Sequence, residues 1–130
     1  MYRFLTRESF RRTMGALVGA TLLFAALAGT ARESTRSEVK VSALPAEARA
    51  ALDRIRAGGP FPYPRDGVVF SNREHLLPAR AHGYYHEYTV PTPDVKSRGA
   101  RRIVCGGAVA TVSECYYSDD HYQSFRKLQP

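Results

Sequence analysis

A carboxylate, an imidazole and a group of arginines, well separated along the chain, are the residues with chemistry to offer. Glu87 stands inside Gly83-Tyr84-Tyr85-His86-Glu87-Tyr88-Thr89-Val90-Pro91. Aromatic and β-branched residues bounded by Gly and Pro read as a strand. A carboxylate in such surroundings is costly unless a neighbouring group uses or neutralises it. Candidate companions are Asn72-Arg73-Glu74 before the strand, Arg98, Arg101 and Arg102 after it, and Asp120-His121-Tyr122 near the end. Together they suit one kind of reaction. A carboxylate takes a hydroxyl proton, an imidazole donates a proton to a leaving oxygen, and arginine forks hold a phosphate between them. Composition and spacing do not by themselves bring Glu87, Arg98, Arg102 and His121 together.

The elements that must position these residues are short. Ser42-Ala43-Leu44-Pro45 opens one helix, predicted over 46–57, with Ala48, Ala51, Leu52 and Ile55 on one face and charges elsewhere. Pro45 suits a first turn, and Gly58-Gly59-Pro60 ends the helix. A rigid Pro- and aromatic-rich loop over 60–64 and an Asp66-Gly67 turn lead to an extended Val68-Val69-Phe70. Strands are predicted over 84–90, 101–105, 112–117 and 122–125, with a short edge strand at Val39 and Val41. One amino-terminal helix followed by antiparallel strands is an α+β plan: a helix packed on a small twisted antiparallel sheet. Arg101 and Arg102, being neighbours, must point to opposite faces, so only one can share a side with Glu87. By the same alternation His86 faces away from Glu87. His75, His82 and His86 are read as non-catalytic.

The chain has 130 residues and a formal net charge of +7, with a sequence pI near 9.8. Ordinary apolar and charged content argues against a disordered or membrane protein as a whole. The basic balance suits an anionic partner, nucleic acid or an anionic membrane surface, and also simple solubility. Residues 1–31 read as a secretory signal peptide: Arg3, Arg7, Arg11 and Arg12 against Glu8, an uncharged run from Met14 to Leu27, then small-residue cleavage sites. Residues 32–38 read as a flexible lead-in and 39–130 as the folded domain. Without the four arginines and one glutamate of the leader, the charge falls to +4. Cys105 and Cys115 both lie in the exported part, where a single disulfide across a Gly106-Gly107 turn region or two buried free thiols are the alternatives. No zinc-type Cys/His spacing is present.

A series of motifs goes further. Leu44-Pro45-x-Glu47, Gly59-Pro60-Phe61-Pro62-Tyr63, Asp66-Gly67-Val68-Val69-Phe70-x-Asn72-Arg73-Glu74, Leu77-Pro78, Gly83 to Val90, Arg98-Gly99-x-Arg101-Arg102-Ile103 and Asp120-His121-Tyr122 follow one another in this order. In these motifs the chain closely resembles the small secreted bacterial guanyl-specific ribonucleases, the barnase-like and streptomycete microbial ribonuclease family. The resemblance runs from about Val39 to Phe125.

That resemblance implies the microbial ribonuclease fold and a role for each site residue. Glu87 matches the general base, His121 the general acid, and Arg102 and Arg98 the phosphate contacts. Glu74 matches the carboxylate that accepts hydrogen bonds from guanine N1–H and the exocyclic amine, a donor pair adenine lacks. Backbone amides around Asn72 and Arg73 would hold O6, with Asn72 near N7. Phe70 and Tyr122 would stack on or wall the base. The implied reaction is transesterification of single-stranded RNA to a 2′,3′-cyclic phosphate, then hydrolysis to a 3′-phosphate. It needs no metal or other cofactor. The implied protein is a secreted monomer, free of the membrane once its leader is removed, with a barstar-like acidic inhibitor as a candidate partner.

Two departures stand out. Lys40 occupies the position where relatives carry the amino-terminal cysteine of a long-range disulfide, and no cysteine follows Cys115. The segment 106–114 is a few residues longer than in those relatives and leads towards His121. An RNA- or protein-binding module of the same fold with weakened catalysis is therefore the second reading. A basic surface-active protein is the third, but it would need neither Glu74 nor Glu87. Residue by residue, plainer readings also stand: a salt-bridged Glu87, a surface Glu74, a core Phe70 and a surface His121 beside Asp119-Asp120.

Overall fold

The computed structural model describes residues 37–112 and 114–130, so the expected leader and the lead-in up to residue 36 lie outside the described residues. The helix forms where its periodicity places it. Helix α1 spans Ala46–Ala57, with Ala48, Ala51, Leu52 and Ile55 buried on one face. Glu47 lies in its first turn and Arg54 and Arg56 in its last, the signs that complement the helix dipole. Gly58 adopts a left-handed φ of 80°. The Gly59 amide then reaches back to the Arg54 carbonyl at 2.9 Å, closing the helix end as a Schellman turn.

The helix packs on a six-stranded sheet of β1 (Glu38–Lys40), β2 (Val68–Val69), β3 (Tyr85–Thr89), β4 (Arg102–Gly106), β5 (Cys115–Ser118) and β6 (Arg126–Gln129). Their order across the sheet is β1-β6-β5-β4-β3-β2. The sheet is mixed rather than wholly antiparallel. β1 pairs with β6 in parallel, Val39 opposite Leu128, while the other ladders are antiparallel. A parallel pair needs a long crossover, and here nearly the whole domain supplies it.

Three strand predictions shift. The strand expected over 112–117 begins at Cys115, because Val109–Thr111 form a 3-10 turn and Val112 takes a left-handed φ of 57°. Residues 122–125 form no strand. His121 and Tyr122 both have positive φ, 56° and 70°, so the chain reverses there and re-enters the sheet as β6. Val41 likewise leaves the predicted edge strand for a 3-10 turn over Val41–Ala43.

Strand alternation divides the core in two. On the helix side Ile103, Cys105, Cys115, Tyr117 and Leu128 pack against α1, with Val90 and Val112. Cys105 and Cys115 stand directly opposite each other on β4 and β5 and are joined by a disulfide, which settles the question the sequence leaves open. On the other side Tyr85, Val104, Tyr116, Leu77 and Phe125 form a second cluster, edged by Phe70, Tyr84 and Tyr122. The buried charges lie on this second face.

Candidate active site

Glu87 sits at the centre of β3, paired with Val68 on one side and Val104 on the other. Its residue is 6% exposed. Burying a carboxylate is tolerable only with partners, and each oxygen has them. Oε2 accepts the Tyr122 hydroxyl at 2.8 Å. Oε1 lies 3.6 Å from both Arg65 Nε and Arg98 Nη2.

The arginines are held by their surroundings. Arg102 starts β4 opposite Thr89 and is 2% exposed, on the face that Glu87 shares. It donates through Nε to the Tyr122 hydroxyl at 3.0 Å and through Nη1 to the Arg101 carbonyl at 2.8 Å. Arg98 reaches in from the preceding loop, its Nε and Nη2 donating to Thr89 Oγ1 at 3.0 and 2.8 Å. Thr89 in turn donates its backbone amide to Asp66 Oδ1 at 2.7 Å. The Tyr122 hydroxyl thus accepts from Arg102 and donates to Glu87. Burial, reinforced by the bond to Glu87, pushes its phenol above the ordinary tyrosine value, and Arg102 works in the opposite direction.

His121 lies on the turn between β5 and β6. Its amide donates to the Ala100 carbonyl at 3.0 Å, tying this turn to the loop before Arg102. Ser118 Oγ accepts the Tyr122 amide at 3.0 Å and donates to Asp120 Oδ1 at 2.9 Å. Asp120 also accepts from the amide and hydroxyl of Ser124. Asp119 pairs with Arg126. Both acidic neighbours of His121 are therefore engaged elsewhere. The exposed imidazole stands 5.0 Å, ring to ring, from Tyr122.

The loop after β2 completes the site. Asn72, at a positive φ of 52°, uses its side chain on the loop itself: Nδ2 donates to the Leu77 carbonyl at 3.0 Å and Oδ1 accepts the Leu77 amide at 3.1 Å. It shapes the loop from within, its side-chain amide committed to Leu77. Arg73 and Glu74 are exposed on this loop. An open cleft of about 520 Å³ is lined by Phe70, Glu74, Leu76, His121, Tyr122 and Gln123. Phe70 and Tyr122 stack on one another with centroids 5.3 Å apart. That spacing leaves no room for a base between them, so they form one continuous wall.

The ribonuclease family model matches residues 27–129. The chain belongs to the ribonuclease family. It is 60% identical over 87 residues to guanyl-specific ribonuclease Sa3 of Kitasatospora aureofaciens; the match covers 67% of this chain and only 60% of that protein. It is 55% identical over 87 residues to guanyl-specific ribonuclease Sa of the same organism, covering 67% of this chain and 88% of that one. Among solved structures, ribonuclease Sa2 with guanosine-2′-cyclophosphate superposes with a TM-score of 0.67 at 47% identity, over 73% of this chain and 97% of that chain.

In this ribonuclease-family chain, sequence reasoning missed the supporting residues. Thr89 anchors Arg98, and its place two residues from Glu87 on the same strand face was the available signal. Ser118 shapes the turn of His121 together with Asp120, which the sequence offered only as a neighbour of His121, and Arg65 reaches Glu87 from a loop with no periodicity to read. Leu76 and Gln123 line the cleft without any motif pointing to them.

Proposed function

We propose that the protein is an endoribonuclease that cleaves single-stranded RNA after guanosine. The observation that carries this reading is the convergence of Glu87, Arg98, Arg102 and Tyr122 on one sheet face, beside a cleft that holds both His121 and Glu74. In the first step Glu87 takes the proton of the ribose 2′-hydroxyl as its oxygen attacks phosphorus. The P–O5′ bond breaks and His121 protonates the departing oxygen, leaving a 2′,3′-cyclic phosphate. Hydrolysis reverses the roles, with a water in place of the leaving group. Arg98 and Arg102 stabilise charge on the phosphoryl oxygens. Glu74 pairs with the guanine N1–H and amine while the Phe70–Tyr122 wall lies against the base.

The similarity to ribonucleases named as guanyl-specific supports the base preference. The basic, hydrophobic amino terminus supports export with removal of residues 1–31. The excess of arginine around the cleft suits an acidic, barstar-like inhibitor in the producing cell.

The test is cleavage of GpC beside ApC by the purified protein in excess EDTA, with Glu87→Ala and His121→Ala in parallel. Rapid GpC cleavage to a cyclic phosphate, slow ApC cleavage and inactive variants are expected. A folded wild-type protein that leaves GpC intact would overturn the reading and leave a binding module.

A further inference from the structure

The loop that carries Glu74 is tied down beyond its far end by a link that the catalytic chemistry does not use. Within the loop, Asn72 bonds both the amide and the carbonyl of Leu77, and the Pro78 carbonyl accepts the Tyr85 hydroxyl at 2.8 Å. Residues 79–82 then run exposed on the way to β3. Arg80 joins this exposed leg to a distant connection, its Nη2 donating to Glu114 Oε1 at 2.7 Å. Glu114 ends the 106–114 segment between β4 and β5, and its own place is fixed. Its carbonyl accepts the Gly106 amide at 3.0 Å, its Oε2 accepts the Tyr116 hydroxyl at 3.3 Å, and the disulfide-bonded Cys115 follows it. The Arg80 guanidinium also lies over the Tyr84 ring, 5.3 Å from its centroid. Tyr84 in turn rests on the backbone of Gly106 and Gly107, where a Cβ would meet its ring or hydroxyl.

We propose that Arg80 and Glu114 are positioning residues for base recognition, a tether that holds the loop so that Glu74 already stands in the cleft when guanine arrives. This rests on the guanine reading given above. Glu87 and Arg102 are placed by paired strands, whereas Glu74 stands exposed on a loop and lines the cleft from there. A carboxylate that must meet two donors at once is effective only if its backbone is held beforehand. An isolated exposed ion pair contributes little to stability. This pair differs in joining segments 34 residues apart, with the Glu114 end anchored in the sheet and the Arg80 end stacked on Tyr84. Without it the leg after Pro78 gains freedom that guanine binding must then remove. The loss therefore falls on affinity for the base and leaves the bond-breaking step, which belongs to the strands, as it was.

The test compares wild type with Arg80→Ala, Glu114→Ala and the double variant in guanosine binding, in KM and kcat on GpC, and in amide hydrogen exchange. Each single variant is expected to weaken guanosine and raise KM about fivefold, the effect of one more side chain to be ordered on binding, with kcat unchanged. The double variant should match the singles, because both remove the same interaction. Arg80→Lys should recover part of the loss. Exchange of the Leu77 and Tyr84 amides, both hydrogen-bonded within this segment, should quicken in Arg80→Ala. Unchanged guanosine affinity in Arg80→Ala would overturn the proposal. So would a lowered kcat at unchanged KM, which places the damage on the strands instead. Failure of the guanine reading shows separately, as a wild type that binds no guanosine and leaves GpC intact. The tether is then decided by exchange alone, and unchanged rates in Arg80→Ala would overturn it.

Discussion

The two faces of the sheet use the same strands for opposite ends. On the helix side, Ile103, Cys105, Cys115, Tyr117 and Leu128 meet α1 in a core built of apolar packing and one disulfide. One residue away along the same strands, Glu87, Thr89, Arg102 and Ser118 are nearly as buried, yet they are charged or polar and bound to one another or to loops. Packing on the first face supplies the stability that allows the second to hold buried charges, an arrangement that contributes little net stability of its own. The comparison teaches where the candidate active site lies: on the face that the helix leaves open.

Substitutions on the two faces should therefore separate activity from stability. The largest expected effect is on the open face. Glu87→Gln should lower kcat on GpC by about 10³-fold, in the range of lost general-base catalysis, with a comparatively small change in melting temperature. A large loss of fold with retained activity would break the comparison. On the helix face, Leu52→Ala should cost about 2–5 kcal/mol in urea unfolding while the remaining folded protein keeps wild-type kcat.

Replacing both Cys105 and Cys115 by Ser should cost about 3 kcal/mol, from the freedom returned to the unfolded chain. It should leave GpC cleavage nearly unchanged, because both cysteines face the helix. Tyr122→Phe sharpens the contrast within the open face. It removes the hydroxyl shared by Arg102 and Glu87, and about a tenfold fall in kcat is expected, with about 1 kcal/mol of stability lost.

The smallest effect concerns pH. Burial opposes ionisation of Asp120, but hydrogen bonds from Ser124 and Ser118 outweigh it and hold the carboxyl below its ordinary value of 3.8. A folded-state value below the unfolded one stabilises at pH above 3.8, and that contribution is lost as pH falls through the folded value. Asp120→Asn should thus destabilise slightly at pH 6 and lose its penalty in strong acid, as read by melting temperature against pH.

The legible parts of the fold are those with local periodicity. Ala48, Ala51, Leu52 and Ile55 announce α1 to the residue, and the Tyr-rich run announces β3 to within one residue at each end. The strand expected over 122–125 fails for a reason that composition conceals. Tyr122 and Phe125 are aromatic because they cover the open-face cluster from a turn, not because they alternate across a strand. The positive φ of Tyr122 has no signature in its residue type, and His121 carries only the weak tolerance of such backbone that histidine shares with Asn and Asp. The parallel β1–β6 pair is similarly hidden, since it joins segments almost ninety residues apart.

By itself the sequence determined the helix, the principal strands, the side of β4 on which Arg102 must fall relative to Arg101, and, through its ordered motifs, the family. These follow from short-range rules: 3.6-residue and two-residue periodicity, and turn chemistry at Gly and Pro. Tertiary structure alone decided that Thr89 stands opposite Arg102, that Tyr122 links Arg102 to Glu87, and that Arg65 reaches the same carboxylate from another loop. Register and loop closure are set by contacts between distant segments. The price of burying one carboxylate is met by partners that no local pattern names.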